Sequence, residues 1–157
     1  MFLIRLARAR DAQAIAVMSR ELIETGLGWS WTARRVAASI ADRDTNVIVA
    51  CDGTRVIAFA IMVYREERAH FALLAVATDY RRLGIGAALW HWLEITARVA
   101  GIRTIHLEVR IGNGGARHFY RQLGFVDDET VPGYYGGVEA AVRMRRELGT
   151  TAPASGG

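Results

Sequence analysis

The residues best suited to chemistry lie in two segments of the second half of the chain. The first segment, residues 74–86, reads as an apolar strand, a short turn rich in arginine and glycine, and the start of a helix. Such a turn directs several backbone N–H groups and the positive end of a helix at one place, which suits a diphosphate. The second segment, residues 106–113, carries a carboxylate on a strand at Glu108, and the next helix carries a phenol at Tyr120. Together the two segments predict a phosphate-bearing cofactor that is held beside one base and one acid.

The composition excludes several other classes of site. All 20 basic residues are arginine, so the chain offers neither the lysine of a P-loop nor a lysine for a Schiff base. Cys51 is the single cysteine, which excludes an internal disulfide and a cysteine cluster for zinc, and we assign no metal. The arginines are scattered without an aromatic–basic strand motif, so no nucleic-acid partner is predicted.

The same composition predicts a folded protein of one domain. The chain has 157 residues, of which 52% are hydrophobic, and a chain of this length buries roughly 70% of its unfolded surface. Charged residues interrupt the N-terminal segment, and the longest apolar run, residues 56–64, is too short to cross a bilayer. We therefore expect a cytoplasmic protein with no membrane partner, and its oligomeric state is left open.

The hydrophobic pattern predicts elements in the order β-α-α-β-β-β-α-β-α-β-β. The predicted strands cover residues 2–6, 47–50, 55–63, 70–77 and 104–109, a strand that begins at 125–127, and 138–145. Four helices are predicted. The first begins after a cap at Asp11, the second runs from a cap at Thr32 to residue 40, and the other two cover residues 84–100 and 113–123. Tyr134 and Tyr135 are predicted in the loop before the last strand.

Three consecutive strands joined by short turns favour a mixed sheet over an all-parallel one. We predict an α/β (α+β) fold with a single, mostly antiparallel mixed sheet of about seven strands and helices on both faces. Residues 1–148 form the domain in this prediction. Residues 149–157 form a disordered tail in this prediction.

The arginine–glycine turn also carries a resemblance. Leu89 stands where a Rossmann fingerprint requires its third glycine, so a dinucleotide site is disfavoured. Arg81, Gly84 and Gly86 instead fit the motif [Arg/Gln]-x-x-Gly-x-[Gly/Ala], in which x is any residue. Residues 71–125, which contain this motif, resemble the acetyl-CoA site of the GNAT superfamily of N-acetyltransferases. The finer resemblance is to the bacterial ribosomal-protein alanine acetyltransferases, and it rests on Leu74-Ala-Val76, Leu107-Glu-Val-Arg110, Asn113, Phe119-Tyr120 and Leu123-Gly-Phe125.

The resemblance implies that acetyl-CoA is the co-substrate. It implies that the pantetheine arm pairs with the strand that ends at Val76, that an amide near Val76 polarises the thioester carbonyl, and that residues 82–87 surround the diphosphate. The residues that it assigns to the cofactor are Leu74, Ala75, Val76, Arg81, Arg82, Leu83, Gly84, Ile85, Gly86, Ala87 and Asn113. Asn113 also stands where a helix N-cap is expected, and both roles can hold at once.

The resemblance further implies that Glu108 is the general base and Tyr120 the general acid, and that Tyr134 and Tyr135 hold the acceptor. The residues alone leave alternatives open. Glu108 can instead be an ion-pair partner of an arginine, and Tyr120 a core residue of an amphipathic helix. The two loop tyrosines can be exposed aromatics.

The histidines receive no role in catalysis in this prediction. His106 shares a strand face with Glu108 and is interpreted as a structural neighbour. The other three histidines show no metal-ligand spacing and are interpreted as surface or core residues: His70, His91 and His118.

The predicted activity is direct transfer of an acetyl group from acetyl-CoA to a primary amine. The acceptor considered first is the N-terminal α-amino group of a protein. One alternative is a small amine such as a polyamine, an amino acid or a drug. A less favoured alternative is an acyl-CoA-binding sensor without turnover. One departure from the subfamily bears on the acceptor, because Gly28-Trp29 stands where that subfamily usually has Pro-Trp.

Overall fold

The strands and helices of the computed structural model follow the predicted order, and the structure describes residues 1–149. The predicted tail therefore lies, apart from its first residue, outside the described residues. The strands are β1 (Leu3–Leu6), β2 (Thr45–Asp52), β3 (Arg55–Arg65), β4 (Arg68–Val76), β5 (Thr104–Arg110), β6 (Val126–Tyr135) and β7 (Glu139–Glu147). The helices are α1 (Ala12–Leu22), α2 (Ala33–Ala41), α3 (Ile85–Val99) and α4 (Gly114–Gln122), with short 3-10 turns at Ala9–Asp11 and Thr78–Tyr80.

The seven strands form one mixed sheet in the order β1-β2-β3-β4-β5-β7-β6. Strands β4 and β5 pair in parallel, whereas β1–β2, β2–β3, β5–β7 and β6–β7 are antiparallel pairs. The parallel ladder covers the three pairs from Arg68↔Thr104 to His70↔His106, although both strands run on past it. This open mixed sheet with four helices confirms the predicted fold class.

The described chain divides into two compact units. Unit 1 comprises Met1–Val63 and Phe71–Leu93, and unit 2 comprises Tyr64–His70 and the chain from Glu94 onward. None of the helices in residues 1–149 combines the length and the apolar character that crossing a membrane requires.

The core of unit 1 forms where α1 and α2 meet the sheet. Ile15 of α1 and Val36 of α2 are fully buried and belong to one cluster with Val49 and Phe59 of the strands. Ile48 and Ala50, on the opposite face of β2, are also fully buried. Because successive side chains of a strand point to opposite faces, this part of the sheet is covered on both sides.

In unit 2, alternation along β5 separates apolar from polar side chains. Ile105, Leu107 and Val109 are buried, whereas His106 and Glu108 on the other face keep some exposed surface as whole residues, although the Glu108 side chain itself is only 5% exposed. The polar face of this central strand therefore carries the titratable groups.

Two local predictions were wrong. Asp11 does not cap α1, because its carboxylate pairs with Arg5 at 2.7 Å and accepts a hydrogen bond from the Arg8 amide. Tyr134 and Tyr135 end β6 rather than lying in a loop, because β6 continues to Tyr135 opposite Glu139. The other predicted cap was right, since the Thr32 side chain accepts a hydrogen bond from the Arg35 amide at 3.3 Å.

Candidate active site

In unit 1, the chain between β4 and α3 forms an exposed turn that is suited to an anion. Arg82 has φ 65° and Gly84 has φ 78°, both left-handed, and α3 begins at Ile85. The amides of a first helical turn have no carbonyl four residues earlier within the helix, and the helix dipole is positive there. Arg81, Arg82 and Gly84 are exposed. The turn can therefore offer backbone N–H groups and two guanidinium charges to a phosphate.

Contacts to the β2–β3 hairpin hold this turn in place. The Tyr80 hydroxyl donates to the Asp52 carboxylate at 2.6 Å, and Arg55 pairs with Asp79 at 3.2 Å. Both contacts anchor the 3-10 turn Thr78–Tyr80, which directly precedes the arginines. Exposed pairs of this kind contribute little stability, so we interpret them as positioning contacts.

The end of β4 presents the residues assigned to the pantetheine arm. Leu74 and Val76 are partly exposed and Ala75 is buried between them. The amide of Ala77 donates to the Ile57 carbonyl at 2.8 Å, which fixes the strand end against β3.

In unit 2, Glu108 lies at the centre of a polar group that we call the Glu108 cluster: His70, His106, Glu108, Tyr134 and Arg143. The Glu108 side chain is 5% exposed. Its Oε1 accepts hydrogen bonds from His70 Nε2 at 2.7 Å and from the Tyr134 hydroxyl at 2.9 Å. Its Oε2 accepts from Arg143 Nε at 3.2 Å. The ion pair with an arginine, which the sequence left open as an alternative, is therefore present, and the same carboxylate also contacts a histidine.

These contacts determine the protonation state of Glu108. Burial by itself would raise the pKa of the carboxyl, but the hydrogen bonds from His70, Tyr134 and Arg143 outweigh it and lower the pKa to about 2. The carboxylate is therefore ionised at neutral pH and can only accept hydrogen bonds, so Nε2 of His70 is the donor. A carboxylate with so low a pKa holds a proton poorly, which makes it a weak base on its own.

The two histidines of the cluster stack on each other. Their ring centroids lie 4.9 Å apart with the planes inclined at 15°. Burial and the neighbouring His70 lower the pKa of His106, which favours its neutral form. His106 is thus a close neighbour of the pair formed by His70 and Glu108.

Tyr120 lies in an aromatic group of unit 2. It is 9% exposed, and its ring meets Phe119 and Phe125 edge to face at 5.2 and 5.8 Å between centroids. Burial raises the pKa of its phenol, with a further contribution from Tyr135. The group therefore stays protonated and can act as a donor over the whole range in which amines react.

The remaining predicted residues of unit 2 occupy the ends of elements. Asn113 caps α4, because its Oδ1 accepts from the Ala116 amide at 3.1 Å. Tyr134 is 42% exposed and meets Tyr135 edge to face with 4.9 Å between centroids. Burial raises the pKa of Tyr135 as well. Tyr134 thus touches the candidate base itself, a contact that the sequence did not predict.

Sequence reasoning missed two residues of the cluster, His70 and Arg143. The register of the sheet brings them in, since His70 lies opposite His106 and Arg143 lies opposite Glu108. Residue spacing within one segment carries no information on such register. A prediction of which strands pair, and in which register, would have placed both residues beside Glu108.

The comparisons with known proteins decide the family. Residues 9–125 match the acetyltransferase (GNAT) family. The chain belongs to this family. The acetyltransferase is 30% identical over 148 residues to an uncharacterised N-acetyltransferase of Methanocaldococcus jannaschii, and the match covers 90% of this chain and 89% of that protein.

A second relative is better defined. The acetyltransferase is 32% identical over 105 residues to the ribosomal protein bS18-alanine N-acetyltransferase of Escherichia coli, with 67% of this chain and 70% of the relative covered. A crystal structure of the Escherichia coli ribosomal-protein-alanine N-acetyltransferase matches with a TM-score of 0.84 at 25% identity and covers 98% of each chain.

The family settles the reaction. The protein is an acetyl-CoA-dependent N-acetyltransferase, as the sequence predicts, and acetyl-CoA is its co-substrate. The resemblance proposed from residues 71–125 is confirmed at the level of the family.

Proposed function

We propose that the acetyltransferase acts on the N-terminal α-amino groups of proteins. The observation that carries this proposal is the state of Glu108, a buried carboxylate with a pKa of about 2. An α-amino group has a pKa near 8, against about 10.4 for lysine, so an appreciable fraction is already neutral at pH 7. Such an acceptor therefore demands less of the base than a lysine does. The ribosomal-protein-alanine relative supports the same acceptor class.

In the proposed reaction, the pair formed by His70 and Glu108 takes the proton of the amine, directly or through water. When the imidazole of His70 is neutral and its Nε2 donates to the carboxylate, Nδ1 is left as an acceptor. Histidine exchanges protons near neutral pH, and the carboxylate stabilises the imidazolium that forms. Glu108 is then the buried charge that makes the pair basic.

The amine nitrogen attacks the acetyl carbon, and the thioester oxygen takes the negative charge. In our proposal a backbone N–H near Val76 stabilises this oxyanion, which is the largest single contribution in many acyl transfers. Collapse of the intermediate breaks the carbon–sulfur bond and releases the thiolate of CoA.

Tyr120 is the proposed donor to the departing sulfur. An ordinary tyrosine has a pKa about 1.5 units above that of a cysteine thiol, so complete proton transfer to such a sulfur is uphill by about 2 kcal/mol. Burial raises the pKa of Tyr120 further. We therefore propose that the phenol shares its proton with the sulfur in the transition state, where a hydrogen bond to developing charge is strongest.

The cofactor residues follow the sequence assignment. We propose that backbone amides and one guanidinium hold the diphosphate. The amides are those of Arg82, Leu83, Gly84, Ile85, Gly86 and Ala87, and the guanidinium is that of Arg81. The backbone of Leu74, Ala75 and Val76 is proposed to pair with the pantetheine arm as an added strand. Asn113 uses Oδ1 as a cap, so its Nδ2 is the proposed donor to that arm.

Further features predicted from the sequence remain part of the proposal. We place the acetyltransferase in the cytoplasm, treat residues 1–148 as its domain, and assign the exposed ring of Tyr134 and the ring of Tyr135 to acceptor binding. We propose no nucleic-acid partner.

The acceptor is tested with peptides that separate the two kinds of amine. One peptide begins with alanine and carries an internal lysine, and its matched control has a blocked N-terminus. Each is incubated with the enzyme and acetyl-CoA beside a panel of small amines, and mass spectrometry locates the acetyl group. We expect acetylation of the alanine α-amine alone. Preferential acetylation of the blocked peptide or of the small amines would overturn the proposal.

A further inference from the structure

Three side chains of the Glu108 cluster have the chemistry of a metal site. His70, His106 and Glu108 each offer one ligand atom, and these atoms all lie within 4.8 Å of one another. The arrangement comes from the sheet, because His70 lies opposite His106 in the parallel ladder and Glu108 follows His106 by two residues. No spacing within the sequence reveals it.

The distances fit a tetrahedral ion. Zinc binds histidine nitrogen and carboxylate oxygen at about 2.0–2.2 Å, which places two tetrahedral ligand atoms about 3.3 Å apart. His70 Nε2 and Glu108 Oε1 are 2.7 Å apart, and the widest separation in the set is within 4.8 Å. A metal ion lies close to the plane of each imidazole that binds it, so the two rings, which stack with their planes inclined at 15°, must turn out of the stack to share one ion. Two histidines and one glutamate are also a donor set that zinc uses in proteins with an open fourth position.

The charges around the site leave room for a cation. Arg143 binds only the other carboxylate oxygen, Oε2, and also pairs with Glu129. One guanidinium is thus shared by two carboxylates, and Arg68, whose charge also lowers the pKa of His106, brings the sum over these four side chains to zero. The hydroxyl of Tyr134, which donates to Oε1, belongs to a side chain that is 42% exposed. It can turn away when a metal ion takes that oxygen.

We propose that His70, His106 and Glu108 bind Zn²⁺, with water as the fourth ligand, and that the bound ion switches off acetyl transfer. The ion replaces the proton that His70 and Glu108 share. The binding part of the proposal is independent of the reaction. The inhibition part rests on the proposed function, because it requires that this pair take the proton of the amine.

Binding is measured first, on metal-free full-length enzyme without acetyl-CoA. Isothermal titration with Zn²⁺ is expected to show one site, and Co²⁺ is expected to give the intense visible bands of four-coordinate cobalt. His106→Phe keeps an aromatic ring beside His70 but removes a ligand, and Glu108→Gln removes the carboxylate charge. Each is expected to weaken Zn²⁺ binding at least about tenfold, since even outer-shell changes cost that much. His118→Gln, a change of an exposed histidine of the same unit, is expected to bind like the wild type.

The binding results decide the site. Loss of binding in both ligand variants with retention in His118→Gln supports the proposal. No binding to the wild type, or undiminished binding to folded His106→Phe and Glu108→Gln, overturns it. Circular dichroism checks that each variant is folded. If His106→Phe does not fold, the conclusion is drawn from Glu108→Gln, whose new side chain has nearly the same shape as the original.

The inhibition experiment tests the part of the proposal that rests on the proposed function, whereas the binding experiment does not depend on it. Acetyl transfer by wild type and His118→Gln is measured with and without Zn²⁺, with EDTA added afterwards. We expect loss of activity as the site fills and recovery with EDTA. If Zn²⁺ binds in the cluster and activity is unchanged, the site stands as a metal site, and both the inhibition and the role of the pair in proton transfer are wrong.

Discussion

The turn before α3 in unit 1 and the Glu108 cluster in unit 2 are built by different means. The turn uses consecutive residues, backbone amides and the left-handed conformations of Arg82 and Gly84. The cluster uses side chains from four strands, β4, β5, β6 and β7, joined through one carboxylate. A site made of consecutive backbone groups tolerates changes of side chain but depends on local conformation. A site made of distant side chains depends on each partner.

The largest effect is expected in the cluster. Glu108→Gln keeps the shape of the side chain but removes the charge that stabilises a protonated His70. We expect kcat to fall by about 10³-fold, within the range for a positioned proton-transfer group, with little change in the affinity for acetyl-CoA. Steady-state kinetics with an alanine peptide and calorimetry with CoA measure the two quantities. Unaltered kcat would remove the cluster from the reaction.

Tyr120→Phe tests the donor to the leaving group. The change removes one hydroxyl and leaves the ring packed against Phe119 and Phe125. We expect kcat to fall by about 10²-fold, because only a shared proton is lost. Phe119→Leu is a control for aromatic packing and should affect thermal stability more than kcat. Equal losses of kcat in both variants would assign Tyr120 to the core.

Gly84→Ala tests the turn of unit 1. A Cβ at this position meets nothing within 4 Å, so the cost comes from φ 78° and amounts to roughly 1–2 kcal/mol. We expect the KM for acetyl-CoA to rise about tenfold with kcat nearly unchanged. Gly86→Ala is the matched control, because Gly86 lies within α3 and alanine favours a helix there. Similar effects of the two substitutions would contradict a role for the left-handed conformation.

The smallest effect concerns Glu24, a buried carboxylate of unit 1. Burial would raise its pKa, but hydrogen bonds from Ser30, Ser19 and the Trp31 amide outweigh it and lower the pKa below the usual 4.5. A folded-state pKa below the unfolded value stabilises the fold above about pH 4.5, and this stability is lost as the pH falls further. Free energies of unfolding in urea, at about pH 5.5 and about pH 3.5, should therefore differ more for wild type than for Glu24→Gln.

Glu21→Gln is the control for that experiment, since Glu21 is exposed at the end of α1, three residues before Glu24. It should retain the acid sensitivity of the wild type. An equal pH dependence of stability in wild type and Glu24→Gln would show that the contacts of Glu24 do not lower its pKa.

The same contrast explains what the sequence could predict. The Thr32 cap, the order of the elements and the residues of the arginine–glycine turn depend on neighbours in the chain, and all were predicted. Asp11 failed as a cap because Arg5, on a strand, competes for its carboxylate. Tyr134 was placed in a loop because glycine and proline near it mark turns, whereas pairing with β7 extends β6. His70 and Arg143 were missed because sheet register brings them to Glu108.

The most direct test of the account varies the proton affinity of the acceptor. Two peptides are compared that differ only at the N-terminus, one beginning with alanine and one with an aminooxy group, which is largely unprotonated at neutral pH. The account predicts that Glu108→Gln loses far less activity with the aminooxy peptide than with the alanine peptide, because no proton then has to be removed before attack. An equal loss with both acceptors would contradict the assignment of proton transfer to Glu108 and His70.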